Sequence, residues 1–460
     1  MTIGQRWWRA LACMLMSIGV PACAQGDARP ARLAVVGATV IDGTGAPPRA
    51  DMAIVIEGGR IAAVLPRADF TPVPGTELID GAGKTLIPGF VGMHDHTHVP
   101  GNTFTGDVAA GLWIAGGVTT VMTAGSAETE LEIALARQVA EGKRIGPEIV
   151  ASAPYIGGPG DSPAMFHPAN EAEARGFVRD WSRRGTRWFK LYRHTEPVIA
   201  AAVIDEAHRH GGRVTGHLCS ITLAEAAAMG IDGIEHGLSS AGDLVSGKAP
   251  GACRSAVPLL DSLDIDGPEI SALIAALVDH DVTLTSTLAI LESRFAHRPQ
   301  GDARSLAVLS PAARERLVAY RERLKENAAT TNWTPATWDN IRMFERRFVA
   351  AGGRLLTGPD FGRNVVPGFG NQRGFELLVE AGFTVPQAIR IATSNGAEAL
   401  GFDDRIGRIV QGYEADLVLI DGDLARDASA IRDVDTVFVN GQAIAPDPLI
   451  EAAQGRFGPQ

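Results

Sequence analysis

Between Ala31 and Leu86 the apolar positions fall in short runs (LAVVGATVI, MAIVIEGGRIAAVL, TELIDGAG) broken by Gly and Asp. That pattern predicts a small antiparallel sheet with hairpins. It returns after Arg405 in GRIVQGYEADLVLIDGD and DVDTVFVNGQAI. Residues 31–87 and 405–460 are therefore expected to build one β-sandwich domain together. Between them, residues 88–404 alternate apolar strand with helix for their whole length. The expected strands are FVGMH, VTTVMTA, PEIVASA, RWFKLY, RVTGHL, GIEH, VTLTST and RLLTG. The clearest helix, EPVIAAAVIDEAHRHGG, has Pro197 near its first turn and Gly211 near its stop. Eight such units with short connections predict an α/β fold, a (β/α)8 TIM barrel whose chemistry sits at the carboxyl ends of the strands. A doubly wound open sheet is the alternative, and no Gly-rich phosphate loop supports it.

The connection after Thr287 is too long for a plain loop. Ser310-Pro311 and Thr334-Pro335 are N-cap and first-turn pairs, so the 288–334 insertion is expected to be helical. Helices inserted on the active face form either a lid or a contact in a homo-oligomer.

Near the start, Arg6 and Arg9 precede the apolar run Ala10 to Val20, which is followed by Pro21, Ala22, Cys23, Ala24 and Gln25. This is the layout of a signal peptide over residues 1–24, too short to span a bilayer, and it implies export to the periplasm or beyond. Val20 to Cys23 also resembles a lipoprotein cleavage box, which would leave Cys23 lipidated. The mature chain would then carry no transmembrane segment. It would keep two cysteines, Cys219 and Cys253, which an oxidising compartment allows to pair. Their expected places, after the fifth and sixth strands, put both on the active face. Two cysteines are too few for a cysteine zinc site. A net charge of −11 over 460 residues, with no basic tract, argues against nucleic acid as a partner and leaves a small-molecule substrate.

Candidate chemistry gathers at the strand ends. In LIPGFVGMHDHTHVP, alternate side chains share a face, so His94, His96 and His98 are candidates to project together, and two of the imidazoles could reach one metal ion. Lys190 lies in the fourth strand, His217 ends the fifth, His236 ends the sixth and Asp360 follows the eighth. Any one of these is explained as a surface or salt-bridged residue. Together they form a coherent donor set for zinc or a similar divalent ion.

Pro88-Gly89, His94-Asp95-His96, FKLY at Lys190, EAHRHGGRVTGHL at His217, GIDGIEHG at His236 and LLTGPD at Asp360 resemble the amidohydrolase superfamily. The nearest branch is that of the imidazolonepropionase-like and Xaa-Pro dipeptidase-like metal-dependent members. The resemblance covers nearly all of the chain after the leader. It implies that His94 and His96, rather than His98, form the first-strand pair, and that carbon dioxide converts Lys190 to a carbamate. One divalent ion, by the family pattern zinc, would be held by His94, His96, Lys190 and Asp360. A second would be held by Lys190, His217 and His236. Two positions depart from the pattern: Gly92 stands where many members have Asp, and Pro359 replaces the usual Thr before Asp360.

Such a centre implies hydrolysis of a carbon–nitrogen bond by activated water, with Asp360 as acid and base. Dipeptides and N-acyl amino acids are the expected substrates. Tyr192 is placed to donate to the developing oxyanion. Arg193 and His194 are placed to bind a substrate carboxylate. Lactone or ester hydrolysis, deamination and a catalytically silent binding protein are the alternatives.

Overall fold

The computed structural model describes residues 32–98 and 104–459. The leader, its cleavage site and Cys23 lie outside the described residues. All eight expected strands of the central unit form: β1 (Phe90–Asp95), β2 (Val118–Thr123), β3 (Glu148–Val150), β4 (Trp188–Leu191), β5 (Arg213–Gly216), β6 (Gly233–Glu235), β7 (Thr283–Ser286) and β8 (Leu355–Thr357). Most of their residues are buried on both faces, so they read as continuous apolar runs rather than alternating ones. β1 to β3 pair in parallel as one sheet, and β4 to β8 as a second. Where the two meet, the Ile156 N–H donates to the Lys190 carbonyl at 3.0 Å and the Tyr192 N–H donates to the Ile156 carbonyl at 2.8 Å.

Helices separate the strands. Helix Pro197–Arg209 has proline in its first turn and buries Ile199, Ala200, Val203, Ile204 and Ala207, the spacing of one apolar face. In the insertion, the Ser310 hydroxyl accepts from the Ala313 N–H and the Thr334 hydroxyl from the Thr337 N–H, so both expected caps open helices, Pro311–Glu326 and Pro335–Ala350. Among the described residues no helix is long and apolar enough to cross a membrane.

Both ends of the chain share one eight-stranded sheet with its own apolar core around Ile54, Leu86, Leu417 and Phe438. One expectation is corrected here. The sheet is mixed rather than antiparallel, because Arg32–Val40 pairs in parallel with both Glu77–Asp80 and Thr85–Pro88. Hydrogen bonds link all eight strands. A second correction concerns the 405–460 segment, whose last part leaves the sheet. Helix Asp447–Ala453 packs on helix Gly106–Ala115, and the Phe457 N–H and carbonyl bond Val308 and Ser310 of the insertion. Burial of Phe457 and Ala453 explains why the tail returns to the central unit.

Candidate metal centre

His94 and His96 leave the end of β1 on the same side, with ring centroids 5.1 Å apart. Neighbouring groups take one nitrogen of each ring. His94 Nδ1 lies 2.5 Å from Glu235 Oε2, and His96 Nδ1 lies 3.1 Å from the Tyr155 hydroxyl. The Nε2 atoms are thereby left for a common target, 3.6 and 3.3 Å from Asp360 Oδ1. Asp360 itself follows β8 in a left-handed conformation with φ of 48°, and His236 adopts the same region with φ of 65°. Strained backbone of this kind persists only where surrounding structure imposes it, here at two candidate ligands.

His236 Nδ1 lies 2.8 Å from the Thr287 hydroxyl and 3.7 Å from Asp360 Oδ2. Its ring is 4.3 Å from that of His217. One donor atom from each of His94, His236 and Asp360 lies within 4.8 Å of the others. Lys190, 1 % exposed, comes up from β4 with its Nζ in no hydrogen bond, 3.8 Å from Glu235 Oε1. A buried amine that makes no hydrogen bond and has only a distant ion pair is costly. It is the strongest sign that another group completes this site.

Electrostatics agree. Burial lowers the pKa of Lys190 against the pull of Glu235 and Asp360, which favours a neutral amine. Burial, then the Lys190 and Arg193 charges, push His217 down to about 3, and burial with His217 holds His236 well below its usual value. Burial raises Asp360, but His94, His96 and His236 outweigh it and hold the carboxyl well below the carboxylate range. An ionised Asp360 beside His94, His217 and His236, all three held below the ordinary histidine value, suits a divalent cation.

Three residues that the sequence reading did not single out support the centre: Glu235, Tyr155 and Thr287 orient His94, His96 and His236 respectively. Glu235 also accepts from the Thr215 hydroxyl. Its signal in sequence is a carboxylate inside an otherwise apolar strand. Tyr155 and Thr287 carry no such mark.

The two departures have local reasons. A Cβ on Gly92 would lie 2.1 Å from Asp95 Oδ2, so the Asp95 carboxylate fills the space a residue-92 side chain would use. Asp95 is held there by Trp113 Nε1 at 2.7 Å and Asn371 Nδ2 at 3.2 Å. Pro359 lies against Gly370, where a Cβ would come within 2.8 Å of the proline ring.

The remaining candidates divide. The Tyr192 ring stands 5.3 Å from that of His217. Arg193 Nη2 lies 4.0 and 3.8 Å from the sulfurs of Cys219 and Cys253, which form the expected disulfide between the loops after β5 and β6. His194 is bonded to Asp161 through both its ring and its backbone N–H, at 2.7 and 2.9 Å. His98 turns away from the cluster, its Nε2 accepting from the Ala127 N–H. His208 and His210 pair with Asp232 and Glu206, as suits residues outside the site.

A family model described as "Amidohydrolase family" matches residues 85–444. The imidazolonepropionase of Streptomyces coelicolor is 25% identical over 387 residues, spanning 81% of this chain and 85% of that protein. Among solved structures, a Xaa-Pro dipeptidase with methionine bound in its active site superposes with a TM-score of 0.66 at 19% identity, over 90% of this chain and 100% of that one. A bottromycin amidohydrolase superposes with a TM-score of 0.69 at 20% identity, over 92% and 91%.

Proposed function

This chain belongs to the amidohydrolase family, and from that premise we propose that it is a binuclear metal-dependent hydrolase of an amide bond in a dipeptide or N-acyl amino acid. The observation that carries the reading is the buried Lys190 amine, which makes no hydrogen bond and whose charge couples to His94, His217, His236 and Asp360. A neutral amine can add carbon dioxide. Its lone pair forms the new C–N bond, one C=O pair moves onto oxygen, and a proton is released to solvent. The anionic carbamate then offers two oxygens where the free amine offers one lone pair. His94, His96, the carbamate and Asp360 would hold one ion, and the carbamate, His217 and His236 the other. Divalent ions, with zinc the best match to these donors, lower the pKa of water and polarise a carbonyl when bound there.

The protein's own residues supply the rest. Glu235 and Tyr155 fix the rings of His94 and His96. Asp360 takes a proton from the attacking water and delivers it to the leaving nitrogen as the C–N bond breaks. Tyr192 donates to the oxygen of the former carbonyl, and Arg193, beside the disulfide, adds a positive charge that favours a substrate bearing a carboxylate. Eight parallel strands closed as a (β/α)8 barrel would set these groups on one rim. The Cys219–Cys253 disulfide supports export through a leader cut after Ala24. An intact leader on the cellular protein would reject that part.

A second reading is favoured by the 3.8 Å approach of Lys190 to Glu235. There the lysine stays unmodified, and His94, His236 and Asp360 hold a single ion in a deaminase. Metal analysis of protein purified with bicarbonate decides between them, together with a dipeptide and acyl-amino-acid panel. Two metals per chain, a carbamate resonance after 13C-bicarbonate labelling and amide hydrolysis support the first. One metal, no carbamate and release of ammonia from an aminopurine support the second.

A further inference from the structure

Behind Phe361, the residue after Asp360, a cavity of about 260 Å3 lies between the insertion and the tail of the chain. Leu317 and Tyr320 of helix Pro311–Glu326 form one wall, and Phe361 and Phe457 form another. The Phe361 ring stands edge-on to His96 at 6.0 Å and to Phe457 at 5.4 Å, so the cavity is one aromatic ring away from a candidate ligand. Its walls are apolar. Its charged lining residues, Arg316 and Arg363, are both cationic.

Arg363 is held in place from three sides. Its backbone is left-handed, with φ of 55°, its Nη1 donates to Ser293 Oγ at 2.9 Å, and its guanidinium lies 4.9 Å over the Tyr320 ring. No carboxylate among the described residues forms a salt bridge with it, although many other arginines of the chain have one. Next to Ser293, Arg294 stacks 5.2 Å from Trp333 and keeps its Nε buried without a hydrogen-bond partner. The charges of Arg363 and Arg193 both act on it, with that of Asp360 opposing them. Among the described residues these guanidiniums form no salt bridge of their own.

We propose that this cavity seats the large apolar side chain of an amino acid bearing a free carboxylate, on the leaving half of the substrate, with Arg363 pairing the carboxylate. The inference rests on the amide-hydrolase reading above and narrows its substrate. An anion is called for by these guanidiniums, whose forked donors match a carboxylate. A single side chain is called for by size, since pockets for larger ligands run to roughly 300–1,000 Å3. The lining excludes a cationic side chain, which Arg316 and Arg363 would repel and the apolar walls would not pair.

Calorimetry with phenylalanine, glycine and phenylalaninamide tests this without relying on turnover, and kinetics on Gly-Phe and Gly-Gly test it in the reaction. Phenylalanine is expected to bind at least about tenfold more tightly than glycine, within the range one apolar pocket supplies. Arg363→Gln should weaken phenylalanine by about tenfold and phenylalaninamide much less. Leu317→Trp, which fills the cavity, should collapse the ratio of kcat/KM for Gly-Phe over Gly-Gly. Equal affinities for phenylalanine and glycine, or an equal effect of Arg363→Gln on acid and amide, would overturn the pocket. Phenylalanine binding with no hydrolysis of any amide would refute the hydrolase reading and leave the pocket standing as a ligand site. Hydrolysis without side-chain preference would do the reverse.

Discussion

The Asp360 N–H donates to the His94 carbonyl at 2.9 Å, fastening the residue that follows β8 to the end of β1. Two candidate ligands far apart in the chain are thereby set by one backbone bond, and their side chains meet 3.6 Å apart. The approach is possible because residue 358 has no side chain. A Cβ on Gly358 would lie 2.2 Å from the His94 nitrogen and 2.6 Å from its Cα, contacts with backbone that no rotamer change relieves.

Gly358→Ala should therefore separate β8 from β1 and spoil the common target of His94 and Asp360. The folded variant is expected to lose metal affinity by about 10–100-fold, the usual effect of disturbing the groups that orient ligands. Titration against a competing chelator measures this. Wild-type affinity in Gly358→Ala would show that the seam between these strands does not set the centre.

Glu235 tests orientation from beneath. Its carboxylate lies 2.5 Å from His94 Nδ1 and accepts from the Thr215 hydroxyl. Glu235→Gln keeps the shape and removes the charge, and an amide nitrogen in the place of Oε2 would face the same ring nitrogen. We expect metal affinity to fall by about one order of magnitude or more, with far-ultraviolet circular dichroism unchanged. Unaltered affinity would make Glu235 a core residue alone.

These positions show what a single sequence discloses. His94, His96, Lys190, His217, His236 and Asp360 were legible because each interrupts an apolar run at its carboxyl end, and strand parity sends such residues to one rim. Glu235, Tyr155 and Thr287 were not. Their partners are 141, 59 and 51 residues away, and a hydrogen bond across that separation leaves no periodicity. The eight central strands were readable because each is a short run rich in apolar and β-branched residues between helical patterns. The parallel pairings in the small sheet were hidden, because alternation reports which face is buried and says nothing of strand direction. The return of Phe457 to the insertion likewise depends on a contact that no local pattern encodes.

Glu345 offers a pH test away from the centre. It is 2% exposed, its carboxylate accepts from Ser286 Oγ at 3.0 Å, and burial raises its pKa to about 8 despite that bond. In the unfolded chain the group titrates near the ordinary glutamate value of 4.5. Between those values the folded state retains a proton that the unfolded state has released, so stability falls as pH rises, by up to about 1.4 kcal/mol per pH unit from this group. Below pH 4.5 both states are protonated and the penalty is absent. Glu345→Gln should accordingly gain stability over wild type as pH is raised from 5 to 8, in urea unfolding curves at each pH. A difference between the two proteins that stays constant over that window would remove Glu345 as the source.

Lys190 is where the binuclear reading is most exposed. Its amine is buried beside an ionisable carboxylate yet makes no hydrogen bond, so an unmodified lysine leaves a polar group in the interior at a cost of about 1–3 kcal/mol. A carbamate would remove that orphan by spreading a negative charge over two oxygens, which His94, His96, His217, His236 and Asp360 would complement as fellow ligands. Metal and modification should then depend on each other. Stripping metal is expected to release the carbamate, and withholding bicarbonate during reconstitution should slow recovery of activity. Lys190→Ala should bind at most one ion per chain and lose nearly all turnover, and acetate or propionate in solution should restore part of both by supplying the missing oxygens. Asp360→Asn separates chemistry from assembly: it should keep part of the metal while kcat falls by about 10²–10⁴-fold, the usual worth of a positioned acid–base group. A Lys190→Ala protein with two ions per chain and near-normal kcat would make this lysine a strand residue paired with Glu235, and the single-ion centre of His94, His236 and Asp360 would stand in its place.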